Sequence, residues 1–398
     1  MSIVESTDIV ILGGGVSGLL LAGTLSEKHS VLVLEKAERL RVEKYWLTDA
    51  PSVAANPEFR GALDGTYTTM DFIAYDGTTF RASGEYHLWH SENLLRLLSD
   101  RVIAAGGRIL YGQQFYSVQQ SLDSITVLAN DRAIRCRLIV DCMGHSSPIV
   151  HAKGVVDVLG YYLLYGATFP QTKELVPVGL HNMMLSGHPG YVEAFPTADS
   201  RLHIVLIVPV QRLGRTSDLK EDFSFIVSKS PYAKHIDSPV SSERRFLGGI
   251  VPVGHLRRRA LDRIFFFGEA GQINPAASAT ALTRMLLGHR AIAAHLFDCL
   301  EHNAVSAKDL APTPNSTTPF NERIQRALFR NILQWRSDEF KEVIEELIRL
   351  NDTAVVNALV FGDLPDHWSS LASLAARLFQ SKSKTLLKAL VRGVVPIT

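Results

Sequence analysis

Three glycines, Gly13, Gly15 and Gly18, follow the apolar run Ile9-Val10-Ile11-Leu12 and precede a Leu/Ala-rich stretch with helical spacing. The order reads as strand, tight turn and helix. Gly13 allows the turn, Gly15 lets the backbone approach a pyrophosphate, and Gly18 lets the helix lie close on the strand. The chemistry is anion binding: free N–H groups at the helix start, around Val16 and Ser17, and the helix dipole favour a diphosphate. About twenty residues on, the spacing expected of a dinucleotide site, the strand Val31-Leu32-Val33-Leu34 ends in Glu35 and Lys36. A carboxylate there can accept hydrogen bonds from a ribose 2′-hydroxyl. A glycine-rich turn without a ligand is the alternative, and the combination of strand, helix, second strand and terminal acid argues against it.

Two later stretches could complete such a site. Leu138-Ile139-Val140-Asp141 runs into Cys142-Met143-Gly144, which suits a backbone passing beside a nucleotide at Gly144; an ordinary strand exit explains it nearly as well. Ile264-Phe265-Phe266-Phe267 leads into Gly268, Glu269, Ala270 and Gly271, then Asn274 and Pro275. Pro275 is expected near a helix start, where backbone N–H groups again face an anion. Two such turns, far apart in sequence, are what a dinucleotide held by distant parts of one domain requires.

The elements that must position these residues follow from the rest of the chain. At 398 residues it exceeds one ordinary core, so two interleaved domains and a C-terminal appendage are expected. The fold class is α/β: a Rossmann-like dinucleotide domain (1–49, 86–150 and 250–310), an antiparallel substrate sheet (50–85 and 151–249) and a helical region (320–398). Residues 50–65 read as a loop, 66–72 and 80–89 as strands around an Asp76-Gly77 turn, and 91–105 as a helix stopped by Gly106-Gly107. Short strands at 108–110, 115–120, 124–129 and 133–136 suggest a meander, and 161–169, 190–195 and 202–210 alternate as an antiparallel sheet. A Pro-rich linker, 311–319, precedes helices at 320–350, 352–361 and 368–391.

A formal net charge of +1 gives no reason to expect a nucleic-acid partner. Cys136, Cys142 and Cys299 form no CxxC pair, so no zinc site or disulfide framework is expected and the compartment reads as reducing. No metal site is expected. With no signal peptide or membrane-length apolar run, the chain reads as a cytoplasmic protein. Lys382, Lys384, Lys388 and Arg392 lie among leucines near the end; such a helix can touch a membrane surface peripherally or pack on the domain with a solvated face.

The order of motifs resembles the FAD-dependent lycopene cyclase group, within the wider set of aromatic hydroxylases, geranylgeranyl reductases and flavin halogenases. The likeness covers residues 8–300. It rests on the glycine turn with Glu35, on Tyr45-Trp46-Leu47-Thr48-Asp49, on Asp141-Cys142-Met143-Gly144, on Gly160-Tyr161-Tyr162, on Ala194-Phe195-Pro196, on Ile250-Val251-Pro252 and on residues 268–275. It implies FAD, with Glu35 on the adenosine ribose, residues 13–18 on the diphosphate, and residues 268–275 on the ribityl chain and flavin rim. It also marks Asp49 as a candidate acid. Three departures stand out: His90 or Ser91 occupies the place of a family arginine, Gly268-Glu269-Ala270-Gly271 replaces the usual Gly-Asp pattern, and the strand Arg201-Leu202-His203-Ile204-Val205 lacks the cyclases' adjacent glutamates.

Cyclising a polyene needs a proton donor aimed at an alkene and exclusion of water. With those glutamates absent, Glu193 and His203, on two arms of a hairpin around residues 197–200, are the nearest candidates, and both could equally be structural. Whether they share a cavity depends on hairpin register. Loss of the glutamates favours an FAD-dependent, monooxygenase-like oxidoreductase acting on an apolar small molecule, with NAD(P)H or a flavin reductase as electron source. The alternatives are a redox-neutral cyclase or isomerase using reduced FAD, and a flavin-binding protein without turnover.

Overall fold

The computed structural model describes residues 5–40, 44–130, 132–172, 178–185, 188–214, 217–236, 245–311 and 319–361. A six-stranded sheet runs in the order Ala260–Leu261, Ile264–Phe266, Leu138–Asp141, Ile9–Leu12, Val31–Leu34 and Arg108–Leu110; its last five strands are parallel. Its central strands are unbroken apolar runs because both faces are covered. Ile9, Ile11, Val31 and Val33 lie under the helices Val16–Leu25, Ser91–Ala104 and Ala281–Glu301. The alternate residues Val10, Leu12, Leu32 and Leu34 pack on a small sheet of Glu5–Ser6, Arg132–Cys136, Ile125–Ala129 and Phe115–Gln120. Arg108–Leu110 was expected in that meander. It instead pairs in parallel with Val31–Leu34, because the helix Ser91–Ala104 and the turn at Gly106 (φ +85°) return the chain to the parallel sheet's open edge.

The second layer is an eight-stranded sheet in the order Arg245–Leu256, Val156–Pro170, Arg201–Val210, His188–Pro196, Val178–Leu185, Leu63–Ile73, Thr79–His90 and Tyr45–Asp49. Only Val178–Leu185 and Leu63–Ile73 pair in parallel. Tyr45–Asp49, residues 86–90 and residues 250–256 belong to this sheet and not to the parallel one. One face packs on the helix Ser217–Lys229, with Leu202, Ile204, Leu206 and Val208 against Phe223 and Ile226. The other carries His203, Val205 and Ile207 toward the cleft described below.

Two further expectations are corrected. Residues 50–65 are not a loop: Asp49 caps a short helix, Ala50–Ala54, and Pro57 opens a 3₁₀ turn, Pro57–Ala62, each proline standing in a first turn where its missing N–H costs nothing. Residues 320–350 are two helices, Pro319–Gln334 and Ser337–Leu350, because Arg336 is extended and its N–H is taken by the Glu339 carboxylate at 3.0 Å. With Thr353–Phe361 they cover the sheet: Phe329 and Leu333 pack on Tyr162 and Val205, and Ile348, Val356 and Phe361 on Met70, Phe80 and Tyr86. The linker residues 312–318 and the basic tail lie outside the described residues. No helix among the described residues is long and apolar enough to cross a membrane.

Candidate functional site

The glycine turn, the Asp141 loop and the 268–275 loop all leave the same edge of the parallel sheet, joined by a row of hydrogen bonds. Gly13 N donates to Leu34 O (2.8 Å), Cys142 N to Leu12 O (2.8 Å), and Phe267 N to Asp141 O (3.0 Å). Ligands of open α/β sheets bind beyond this carboxyl edge. The segments also touch directly: a Cβ on Gly268 would stand 2.6 Å from that of Ser17, and one on Gly144 would lie 3.3 Å from a Glu269 carboxylate oxygen. His145 Nδ1 lies 3.7 Å from a Glu269 carboxylate oxygen across the same gap.

A cleft of about 720 Å³ opens along this edge. Gly13, Gly15, Val16, Ser17, Glu35, Lys36, Gly144, Glu269 and Asn274 all lie on its wall. The Glu35 carboxylate is fixed there by Gly14 N (2.7 Å) and Ala37 N (2.9 Å). The glycines divide by role. Gly13 has φ +101°, and a Cβ there would collide with the Cys142 carbonyl; on Gly18 it would collide with Gly13 O. Those two are demanded by the fold. Gly15 has an ordinary φ of −71° and nothing within 4 Å of its Cβ position, so only something bound in the cleft would require its smallness. No side chain caps the helix start beside it. The first-turn N–H groups therefore face the cleft.

Ala270, Gly271 and Pro275 stand behind this wall. Ala270 is a core residue, and a side chain on Gly271 would strike the Phe266 carbonyl. Pro275 is buried and does not begin a helix; the helix starts at Ala281. Its start, too, lacks a side-chain cap, and Ala279, Thr280, Ala281 and Leu282 line the cleft. These residues were not anticipated. Ala279 holds a left-handed φ of +60°, a strained geometry that aims the chain into the cleft and that nothing in its residue type announces. The loop is pinned from three sides: Tyr162 donates to Ala277 O (2.7 Å), Gln325 accepts from Ala277 N (2.9 Å), and Thr280 donates to Val360 O (2.5 Å). Gln113, Gln114, Gly248 and Gly249 also line the cleft unanticipated. The glycine pair was a usable signal, since adjacent glycines inside a strand mark a close approach.

The sheet supplies the opposite wall. Glu193 pairs with Val205 and Phe195 with His203, so all four side chains share one face and Glu193 and His203 enter the same cleft. His203 is buried against Tyr45 and Phe195, with ring centroids at 4.8 and 6.4 Å. Its Nδ1 meets the Thr168 hydroxyl at 2.9 Å, and burial pushes its pKa down to about 3. The ring is neutral near pH 7. Burial pushes the Glu193 carboxyl up to about 7, where it can hold or release a proton near neutrality. Asp49 does not reach the cleft: its carboxylate accepts from Ser52 Oγ (2.7 Å) and Ser52 N as a helix cap.

Glu193 also borders a second chamber, about 170 Å³, under the C-terminal helices. Its walls include Phe72, Tyr191, Leu328, Trp335, Phe340 and Ile344, and Glu193 is the one carboxyl among its described residues. Tyr162, Ser278, Thr280 and Val360 are shared between chamber and cleft.

Several solved flavoproteins have this fold. The geranylgeranyl bacteriochlorophyll reductase-like protein of Thermoplasma acidophilum matches with a TM-score of 0.67 at 11% identity, over 98% of this chain and 99% of that one. The halogenase PltM, in complex with phloroglucinol and FAD, matches at 0.66 and 12%, over 97% and 94%. The p-nitrophenol 4-monooxygenase PnpA of Pseudomonas putida matches at 0.63 and 13%, over 87% and 99%. No curated protein matches the chain in sequence. The lycopene cyclase protein model matches residues 8–356, nearly the whole described chain, and the protein belongs to that family.

Proposed function

We propose that the protein is an FAD-dependent oxidoreductase acting on an apolar small molecule. The observation that carries this reading is the continuity of one cleft, from the glycine turn and Glu35 to Glu193 and the apolar chamber. The residues fit the cofactor: an uncapped helix start for the diphosphate, a pinned carboxylate for the ribose, and an open Cβ position at Gly15 that a ligand would fill. Residues 279–282 would border the flavin ring. FAD, when bound, supplies electron transfer and, reduced, reactivity toward O₂. The chain's own residues exclude water through Tyr45, Phe195 and the C-terminal helices, and hold a proton at the Glu193 carboxyl. Electrons would come from NAD(P)H or a separate reductase.

A second reading, redox-neutral cyclisation or isomerisation with reduced FAD, is favoured by Glu193 itself. Its carboxyl stands directly across from Val205, on the strand where the cyclases carry glutamates. Protonation of an alkene from that position would leave a cation among aromatic faces.

Purified protein saturated with FAD and supplied with NADPH or dithionite, with lycopene as test substrate, separates the readings. An oxygenated product that forms only under air supports the oxidoreductase. A product formed under strict anaerobiosis, carrying one non-exchangeable deuteron from D₂O, supports the cyclase. Failure to bind FAD refutes both.

A further inference from the structure

A third cavity, about 310 Å³, lies beyond residues 268–276, with Asn274 on its wall and on that of the cleft. It is lined by Arg259, Arg284, Arg323 and Arg326. Among its described wall residues the one carboxylate, Glu322, lies 3.8 Å from Arg259 and 3.5 Å from Arg326. The wall residue His255 places its Nε2 3.3 Å from the Asp157 carboxylate, which Arg257 also engages. Among the described lining residues, four guanidinium groups stand with one carboxylate. Burial, and then repulsion from Arg330, Arg323 and Arg259, pull the Arg326 guanidinium below its ordinary value despite Glu322.

Polar atoms without a partner gather at the same place. Gln325 is 1% exposed; its Oε1 is used by Ala277 N, and its buried Nε2 has no partner. Asn274 is 8% exposed, with an unpartnered Oδ1, and Gln272 Oε1 and His255 Nδ1 are likewise unmatched. Buried polar groups left so are costly unless something completes them. Guanidinium forks match phosphate oxygens, while the amide oxygens of Gln272 and Asn274 can accept only from donors such as hydroxyls. The volume is that of a small-metabolite site.

We propose that this cavity binds a small, hydroxyl-bearing phosphate ester, at a site separate from the nucleotide cleft. Its position has a consequence. Arg284 donates to Ile273 O (3.2 Å) and Gln325 holds Ala277 N, so a ligand engaging both would brace the loop that forms part of the cleft wall.

The test is isothermal titration of the full chain saturated with FAD, with inorganic phosphate and with ribose 5-phosphate, against chloride at equal ionic strength. Both phosphates are expected to bind saturably at one site per chain, the ester at least tenfold more tightly, with no chloride signal. Gln325→Glu, which keeps the acceptor for Ala277 N but adds negative charge, is expected to weaken both at least tenfold. Arg323→Gln should do the same without lowering the melting temperature in phosphate-free buffer, since it relieves repulsion. Gly15→Val should leave the binding intact. Absence of saturable binding, equal binding by Gln325→Glu and Arg323→Gln, or loss in Gly15→Val, which would put the phosphate at the glycine turn, each overturns the proposal.

Discussion

Replacing Glu193 by Gln gives a stability change whose pH dependence follows from the site. Burial raises the carboxyl from 4.5 to about 7. Between those values the folded state binds more protons than the unfolded chain, so this group's contribution to stability falls as pH rises and is fully lost above about pH 7. A carboxyl raised this far is worth about 3 kcal/mol, a ceiling, since it borders a cleft. Gln carries no charge at any pH. The variant should match the parent below about pH 4.5 and exceed it in stability, by up to about 3 kcal/mol, above about pH 7. Urea unfolding across this range, at constant m-value, measures the difference. His203, held down to about 3 by burial, contributes the opposite slope, stability gained as pH rises from 3 toward 6.5; it is present in both proteins and cancels. If Glu193 also donates a proton, turnover should fall by about 10²- to 10⁴-fold with the flavin spectrum unchanged. A difference that does not vary with pH, or a variant less stable at high pH, would show that the carboxyl is not desolvated as the geometry implies.

Gly15→Val should cost about 1 kcal/mol or less in stability, since its side chain enters open space, yet weaken FAD binding by about 100-fold by displacing the diphosphate; normal flavin retention in a folded variant refutes the assignment. Gln325→Ala removes the acceptor for Ala277 N and should lower stability by about 1–3 kcal/mol and FAD affinity by about tenfold, read by unfolding and by flavin fluorescence titration. Phe223→Ala, fully buried against Tyr165 and Phe169 on the sheet's other face, should cost about 3–5 kcal/mol with flavin affinity unchanged under native conditions, and a parallel loss of affinity would show that the two faces are coupled.

The nucleotide half was legible because its signals are local. Ile9–Leu12 and Val31–Leu34 are apolar at every position, as strands buried on both faces must be, and Gly13 and Gly18 sit where a Cβ would strike backbone two or more segments away or within the turn itself. The small corrections share one cause. Asp49 reads as an acid available for chemistry until the chain around it is folded; Pro51 in the next turn then makes it a helix cap. Pro275 reads as a helix start, whereas the helix begins only after the strained turn at Ala279. The Gln325 side chain and the Val360 carbonyl hold residues 277 and 280 from helices far along the chain, and no spacing rule links them.

The pairing of Glu193 with His203 in one cleft could not be read from alternation alone, because a one-residue slip between their strands leaves each strand's own pattern unchanged while turning one set of side chains over. The core decides it. Val192 and Ala194 meet Leu206 and Ile204 on the face that packs against Phe223, Ile226 and Val227. Slipping either strand would drive Glu193 or His203 into that apolar layer, where an ionisable side chain without a partner is strongly disfavoured, and would turn apolar residues toward the cleft. The turn agrees: Thr197 N donates to Arg201 O at 2.8 Å, and Ser200 adopts φ +57° to close it. The register that satisfies the hydrophobic face therefore leaves the carboxyl and the imidazole together on the other, and the placement of the candidate acid is a consequence of where the helix Ser217–Lys229 packs.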